Sequence, residues 1–190
     1  MKQRILFFKL SEGRSTLAGA IPGKNLLAKM IPIVERCAEP EPLFLDFAGV
    51  DVATGSFLRE TVLGIRDYCR GAQLNLHPVV ANANDEILEE LRLPLKLRDE
   101  VILSCKLDDS DNVSAPRLKG TLGEKERATF QAVIELKEAD ATTLANKYAR
   151  VENIGPTGFN NRLVLLVSKG ALIERKKGRS KFYSPIVEIT

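Results

Sequence analysis

Residues 155–185 read GPTGFNNRLVLLVSKGALIERKKGRSKFYSP, and the division of this string decides the fold of the C-terminal part. Pro156–Lys169 starts polar and turns apolar at Phe159, Leu163, Leu166 and Val167, the spacing of a helix with one buried face. Gly170 is placed to end that helix in a left-handed conformation. Ala171–Lys176 and Ser180–Pro185 then read as the arms of a hairpin with Lys177-Gly178-Arg179 at its tip.

Upstream, Glu124–Lys137 places Phe130, Val133 and Ile134 on one helical face. Asp140 is a suitable N-cap for a second helix, Ala141–Ala149, carrying Leu144, Ala145 and Tyr148. Three helices followed by a hairpin put the third helix in position to enter a major groove. Its outward side carries Thr157, Asn160, Asn161, Val164 and Ser168. Asparagine pairs with adenine, and helix N-termini favour phosphate. Arg162 fits either a phosphate or a carboxylate of a neighbouring helix. Lys176, Lys177, Arg179, Ser180 and Lys181 suit phosphate anchoring by the hairpin.

The string FNNRLVLLVSKGALIERKKGRSKFYSP resembles the third helix and wing of bacterial winged helix-turn-helix transcription regulators, over roughly 124–185. The likeness is carried by NRL–x–x–L–x–x–x–G–x–L and the GRS–x–x–Y wing. It implies double-stranded DNA as partner and binding as a homodimer on two half-sites. It also admits protein docking, which winged helices serve as well.

The first part of the chain alternates strand and helix. Arg4–Leu10, the nearly continuous apolar run Leu43–Val50, Leu74–Ala81 and Val101–Leu107 read as strands, Leu43–Val50 as one buried on both faces. Helical spacing covers Pro22–Cys37, with a break expected at Pro32, then Phe57 to Gly71, then a helix capped by Asn84 and ended by Pro94. This alternation predicts an α/β layer domain with helices on a small mixed sheet. The polar, aperiodic stretch 108–123, DDSDNVSAPRLKGTLG, reads as a linker. The expected organisation is an α/β domain over 1–107, a linker over 108–123 and an α+β domain over 124–190.

LFLDFAGVDVATGSFLRETVLGI resembles the central strand, turn and helix of STAS domains, the fold of anti-sigma factor antagonists, and more closely the STAS-like domain of unknown function. The likeness covers about 4–107 in element order. In the antagonists a serine at this helix start is phosphorylated by a partner kinase. Here the turn is Ala53-Thr54-Gly55-Ser56, without the preceding aspartate. The resemblance implies Thr54, Ser56 and Phe57 as a phosphoacceptor or partner-contact turn, and partners of the ATP-binding kinase type. A hydroxyl at a helix start also serves as a cap worth about 1 kcal/mol.

Composition narrows the function classes. The net charge is +3, but residues 1–110 carry 14 basic and 16 acidic side chains, while Lys169–Lys181 alone holds six basic residues against Glu174. A basic patch in one short segment points to a polyanion. Cys37, Cys69 and Cys105 form no CxxC pair and read as free thiols, so neither metal nor cofactor is expected. No apolar run reaches membrane-spanning length, and the N-terminus lacks a signal-peptide pattern, which gives a cytoplasmic expectation. His77 is the sole histidine, Asp46 and Asp51 stand without a second acidic cluster, and neither phosphate-loop nor dinucleotide glycine motifs occur. The chain therefore reads as a non-enzyme: a DNA-binding regulator with a sensing N-terminal domain, or a partner-switching adaptor. An enzyme or nucleotide binder centred on Asp46–Ser56 is the weakest class.

Overall fold

The computed structural model describes residues 3–189, and the chain divides into two compact units, Met1–Gly120 and Thr121–Thr190. The N-terminal unit runs β1 (Gln3–Leu6), α1 (Phe7–Leu10), β2 (Thr16–Leu17), α2 (Ala20–Met30), β3 (Glu41–Asp46), β4 (Val52–Ala53) and α3 (Gly55–Leu58). It continues with α4 (Gly64–Gly71), β5 (Leu76–Ala81), α5 (Asp85–Glu90), α6 (Arg92–Leu97), β6 (Val101–Leu107) and β7 (Val113–Gly120). A π-helical turn, Arg59–Leu63, joins α3 to α4, so one continuous helix spans 55–71.

The main sheet has the order β1-β3-β5-β6-β7, with the first four strands parallel and β7 antiparallel to β6. Each parallel step goes the same way across the sheet. Crossovers between parallel strands are nearly always right-handed, so steps in one direction place their helices on one face. The core agrees: Ile5, Leu43, Leu45, Leu76, Val80 and Ile102 of the strands cluster with Leu26 and Met30 of α2, Phe57, Ile65, and Ile87 and Leu95 of α5 and α6. The unit is thus a mixed α/β fold. In β3, Leu43, Phe44 and Leu45 are all fully buried, as its continuous apolar run predicts.

Buried charge is paired. Asp46 accepts Arg4 Nε at 2.8 Å and Nη2 at 2.5 Å, Asn82 Nδ2 at 3.0 Å and the Ala48 amide at 2.9 Å. The Arg66 guanidinium, pushed down to about 10 by burial, donates to the Val101 carbonyl and to Glu100. Removing one member of such a pair strands a charge in low dielectric.

Several expectations are corrected. The run 4–10 is a strand only to Leu6. Phe7 then begins a helical turn whose side chain stacks on Phe47 with ring centres 4.3 Å apart. Pro94 ends no helix: it lies in the first turn of α6, where its missing N–H has no partner to lose. The stretch 108–123 is not a linker. It holds β7, paired to β6 from Val101↔Gly120 to Leu107↔Val113. The acidic start of that stretch is the hairpin turn, in which Asp108 accepts the Ser110 and Asn112 amides and the Asn112 side chain.

The C-terminal unit runs α7 (Glu124–Leu136), α8 (Ala141–Glu152), α9 (Pro156–Lys169), β8 (Ile173–Lys177) and β9 (Ser180–Ser184). Asp140 caps α8 through the Thr143 amide at 2.6 Å. Gly170 ends α9 at φ 90°, a conformation that costs glycine nothing. β8 and β9 pair from Ile173↔Ser184 to Lys177↔Ser180. Ala139, between α7 and α8, pairs antiparallel with Tyr183: Ala139 N–H donates to Tyr183 O at 3.0 Å, and Tyr183 N–H to Ala139 O at 2.9 Å.

Helix α2 meets the 55–71 helix at Gly23, where a Cβ would lie 3.0 Å from both the Phe57 carbonyl oxygen and Glu60 Cβ. Gly23→Val is expected to destabilise the protein by about 1–3 kcal/mol through overpacking. Gly71→Ala, where a Cβ meets nothing within 4 Å, should be neutral or stabilising by about 0.5–1 kcal/mol. Urea denaturation of the two variants checks both.

Candidate nucleic-acid interface

Helix α9 is set by two short connections. Asn153 closes α8 in the left-handed conformation at φ 50°, and Pro156 opens α9 at its first position, so only three residues separate the helices. Phe159, Leu163 and Leu166 turn inward and are buried. Thr157, Asn161, Val164, Leu165 and Ser168 are exposed, and Asn160 is half-buried. Ser168 Oγ donates back to the Leu165 carbonyl at 2.8 Å. The exposed side of α9 therefore offers Thr157 and Asn161, with Asn160 beside them, and carries no charged group.

Arg162 does not join that surface. Its guanidinium pairs with Glu152 of α8 at 2.5 Å, reaches Thr129 Oγ1 of α7 at 3.4 Å, and is only 14% exposed. Of its two readings the structure shows the carboxylate of a neighbouring helix, and Arg162 ties three helices together. The charge run shortens in the same way. Lys169 is buried and pairs with Glu126 at 2.9 Å, while that carboxylate also closes back on the Gly123 amide at the start of α7. Arg175 is half-buried and donates to Ser184 Oγ at 2.9 Å.

The hairpin tip retains the rest. Register leaves Gly178 and Arg179 as a two-residue loop, and Gly178 supplies the positive φ (63°) that such loops require. Lys176, Arg179 and Ser180 are exposed, and neither Lys176 nor Arg179 makes an ion pair among the described residues. Lys177 pairs with Glu138 and lies 5.0 Å over the Phe182 ring, and Lys181 pairs with Glu174 at 3.0 Å. Both lysines are more than half exposed. Surface pairs of this kind are worth about 0–1 kcal/mol, so a phosphate would replace the carboxylate at little cost.

In the N-terminal unit the turn at Thr54 joins two helix starts. β2 and β4 pair in parallel, Thr16↔Val52 and Leu17↔Ala53, and each leads straight into a helix. Thr54 Oγ1 makes no cap bond within its own helix. It accepts the Gly19 amide, at the start of α2, at 3.1 Å and lies 3.2 Å from Ser56 Oγ. The Gly55 amide is taken instead by Glu90 Oε2 at 2.6 Å. The capping expectation for this turn is thus corrected. Phe57 is corrected as a contact residue too: it is 2% exposed and meets Phe7 edge-on, with ring centres 6.3 Å apart. Thr54 and Ser56 are half-buried. Asp46 is buried in the pairs described above and Asp51 is exposed, so the two do not form one carboxylate site.

No protein-family model matches this chain, and no curated protein matches it.

Among the described residues no group of three or more His, Cys, Asp or Glu is placed to hold a metal ion, and no helix is long and apolar enough to cross a membrane. The Ala139–Tyr183 pair has no signal in the sequence, because a single bridging residue has no periodicity. The Glu174–Lys181 pair was within reach, since hairpin register makes the two diagonal neighbours. Arg162→Met should destabilise the C-terminal unit by about 1.5–3 kcal/mol in denaturant unfolding, the range for a hydrogen bond to a charged group. Unchanged stability would return Arg162 to the interface.

Proposed function

We propose that the chain is a DNA-binding transcriptional regulator, with a STAS-like N-terminal unit joined to a winged-helix C-terminal unit. The observation that carries this reading is the Ala139–Tyr183 backbone pair. It completes the order helix, bridging strand residue, helix, helix, hairpin, in which the wing is anchored to the connection between the first two helices. Thr157, Asn160 and Asn161 then read base edges, while Lys176 and Arg179, helped by Lys177, Ser180 and Lys181, hold phosphates. Binding as a homodimer would match half-sites one helical turn apart. The N-terminal unit senses a protein partner, of the ATP-binding kinase type implied by the STAS likeness, or a ligand. Such a regulator works in the cytoplasm and needs no cofactor or catalytic residue.

A second reading is supported by Val164 and Leu165, which are 46% and 42% exposed in mid-helix. An uncharged, partly apolar helix face suits a protein partner, which would make the chain a partner-switching adaptor.

Fluorescence anisotropy with labelled duplex DNA separates the two. The DNA reading expects affinity to fall steeply with salt. The Lys176→Gln/Arg179→Gln variant should flatten the log–log slope by about 2, because each phosphate neutralised by the protein contributes about 0.9. Asn161→Ala should leave binding to random duplex intact and relax preference among selected sequences. Absence of binding at low salt rejects the DNA reading and leaves the adaptor.

A further inference from the structure

Strand β7 is the edge strand, with α6 packed against part of it, so its helix-side face is less covered than those of β3 and β5. Register fixes which side chains share that face. Ser104 shares the helix-side face with Ile102, which belongs to the helix-packed core, and Arg117 stands opposite Ser104 while Lys119 stands opposite Ile102. Lys106 follows Ser104 by two residues and so returns to the same face. Between these pairs the register breaks, so that Ala115 and Pro116 stand against Cys105 alone. Ala115 is held at φ 48°, unusual for a residue with a Cβ. Bulges of this kind re-aim neighbouring side chains.

The result is a groove of about 300 Å³ between the start of α5 and β7, lined by Asn84, Asp85, Ser104, Lys106, Arg117 and Lys119 among others. Three cations face one carboxylate there. Lys106 Nζ donates to the Ala83 carbonyl at 3.1 Å, which leaves two of its three N–H groups. Neither Arg117 nor Lys119 has an ion-pair or side-chain hydrogen-bond partner among the described residues. Asn84 is held in place, its Oδ1 accepting the Ile87 amide and its Nδ2 donating to the Asp51 carbonyl.

We propose that this groove binds a phosphorylated small molecule, with Arg117 and Lys119 as the principal contacts and Lys106 as the third. The excess of two positive charges matches a phosphomonoester, which carries about −1.5 to −2 at pH 7. The guanidinium fork of Arg117 fits two phosphate oxygens at once, and the groove has the volume of a small ligand site. The site lies wholly within the N-terminal unit and stands whether or not the C-terminal unit binds DNA.

The test is titration of the full-length chain with ribose 5-phosphate, inorganic phosphate and ribose at fixed ionic strength, followed by amide chemical shifts. Saturable shifts at Asn84, Ser104, Lys106, Arg117 and Lys119 are expected with ribose 5-phosphate and none with ribose. Arg117→Gln/Lys119→Gln should weaken binding at least about tenfold, as expected when charge-assisted bonds are removed. The control Lys9→Gln/Lys24→Gln removes two charges outside the groove and should bind as the parent. Unchanged dispersion of the amide spectrum shows that each variant is folded. Equal saturation by inorganic phosphate assigns recognition to the phosphate group itself, and tighter binding of the ester assigns it to an organic phosphate. No saturable shift, or equal weakening by the two double variants, overturns the proposal and leaves Arg117 and Lys119 as charges that keep the edge strand β7 from pairing.

Discussion

The strands β1, β3, β5 and β6 are laid down in one direction across the sheet, and because parallel crossovers are right-handed, every helix between them is driven to the same face. Most of the N-terminal unit follows from that constraint. The helices share one core, so α2 must pass the 55–71 helix closely, and Gly23 is the residue small enough to allow it. Their first turns collect at the carboxyl ends of the strands. That is why one hydroxyl, Thr54 Oγ1, can reach the start of a helix 35 residues earlier in the chain. The same one-way order removes the point at which strand order reverses, where open α/β sheets ordinarily bind ligands. Concavity arises instead at the antiparallel edge, between the start of α5 and β7.

In the C-terminal unit the equivalent constraint is a pair of backbone hydrogen bonds. Ala139 paired to Tyr183 ties the hairpin to the helices through the backbone, in addition to its covalent connection at Gly170. The pair places β9 against the connection between α7 and α8, and Tyr183 is buried there, its phenol pushed up to about 12 chiefly by that burial and by Glu174 beside it. Backbone pairing leaves Lys176 and Arg179 without an ion pair among the described residues and Lys177 and Lys181 in exposed pairs only, and these are the positions where charge accumulates. Farther down the hairpin and in α9, the cations Arg175, Lys169 and Arg162 serve the fold.

Much of this organisation is legible in the chain. The helix Pro156–Lys169 is marked at both ends by proline and glycine, β6 by the strand-length, mostly apolar run VILSCKL, and Asn84 and Asp140 cap the helices that follow them. β7 was hidden because an edge strand has no reason to alternate apolar and polar residues, and Pro116 at its bulge reads as a loop signal. The charge run misled for a different reason. Six basic residues within Lys169–Lys181 look alike in sequence, yet Lys169 is buried on Glu126, whereas Arg179 is exposed at the tip. Only three-dimensional proximity to a carboxylate distinguishes them.

The turn at Thr54 shows the same limit from the side of the acids. A helix start with hydroxyls suggests a place for an anion, and α3 does hold one, supplied by the protein itself. Glu90 comes from α5 to take the Gly55 amide at 2.6 Å, and the approach is so close that a Cβ on Gly55 would lie 3.1 Å from both that carboxylate and the Glu90 carbonyl. A phosphoryl group on Ser56 would meet this fixed negative charge and compete with it for the same N–H, while one on Thr54 would also break the bond to Gly19. The internal carboxylate already supplies a negative charge at this helix start, which favours a turn held in one state over one switched between two.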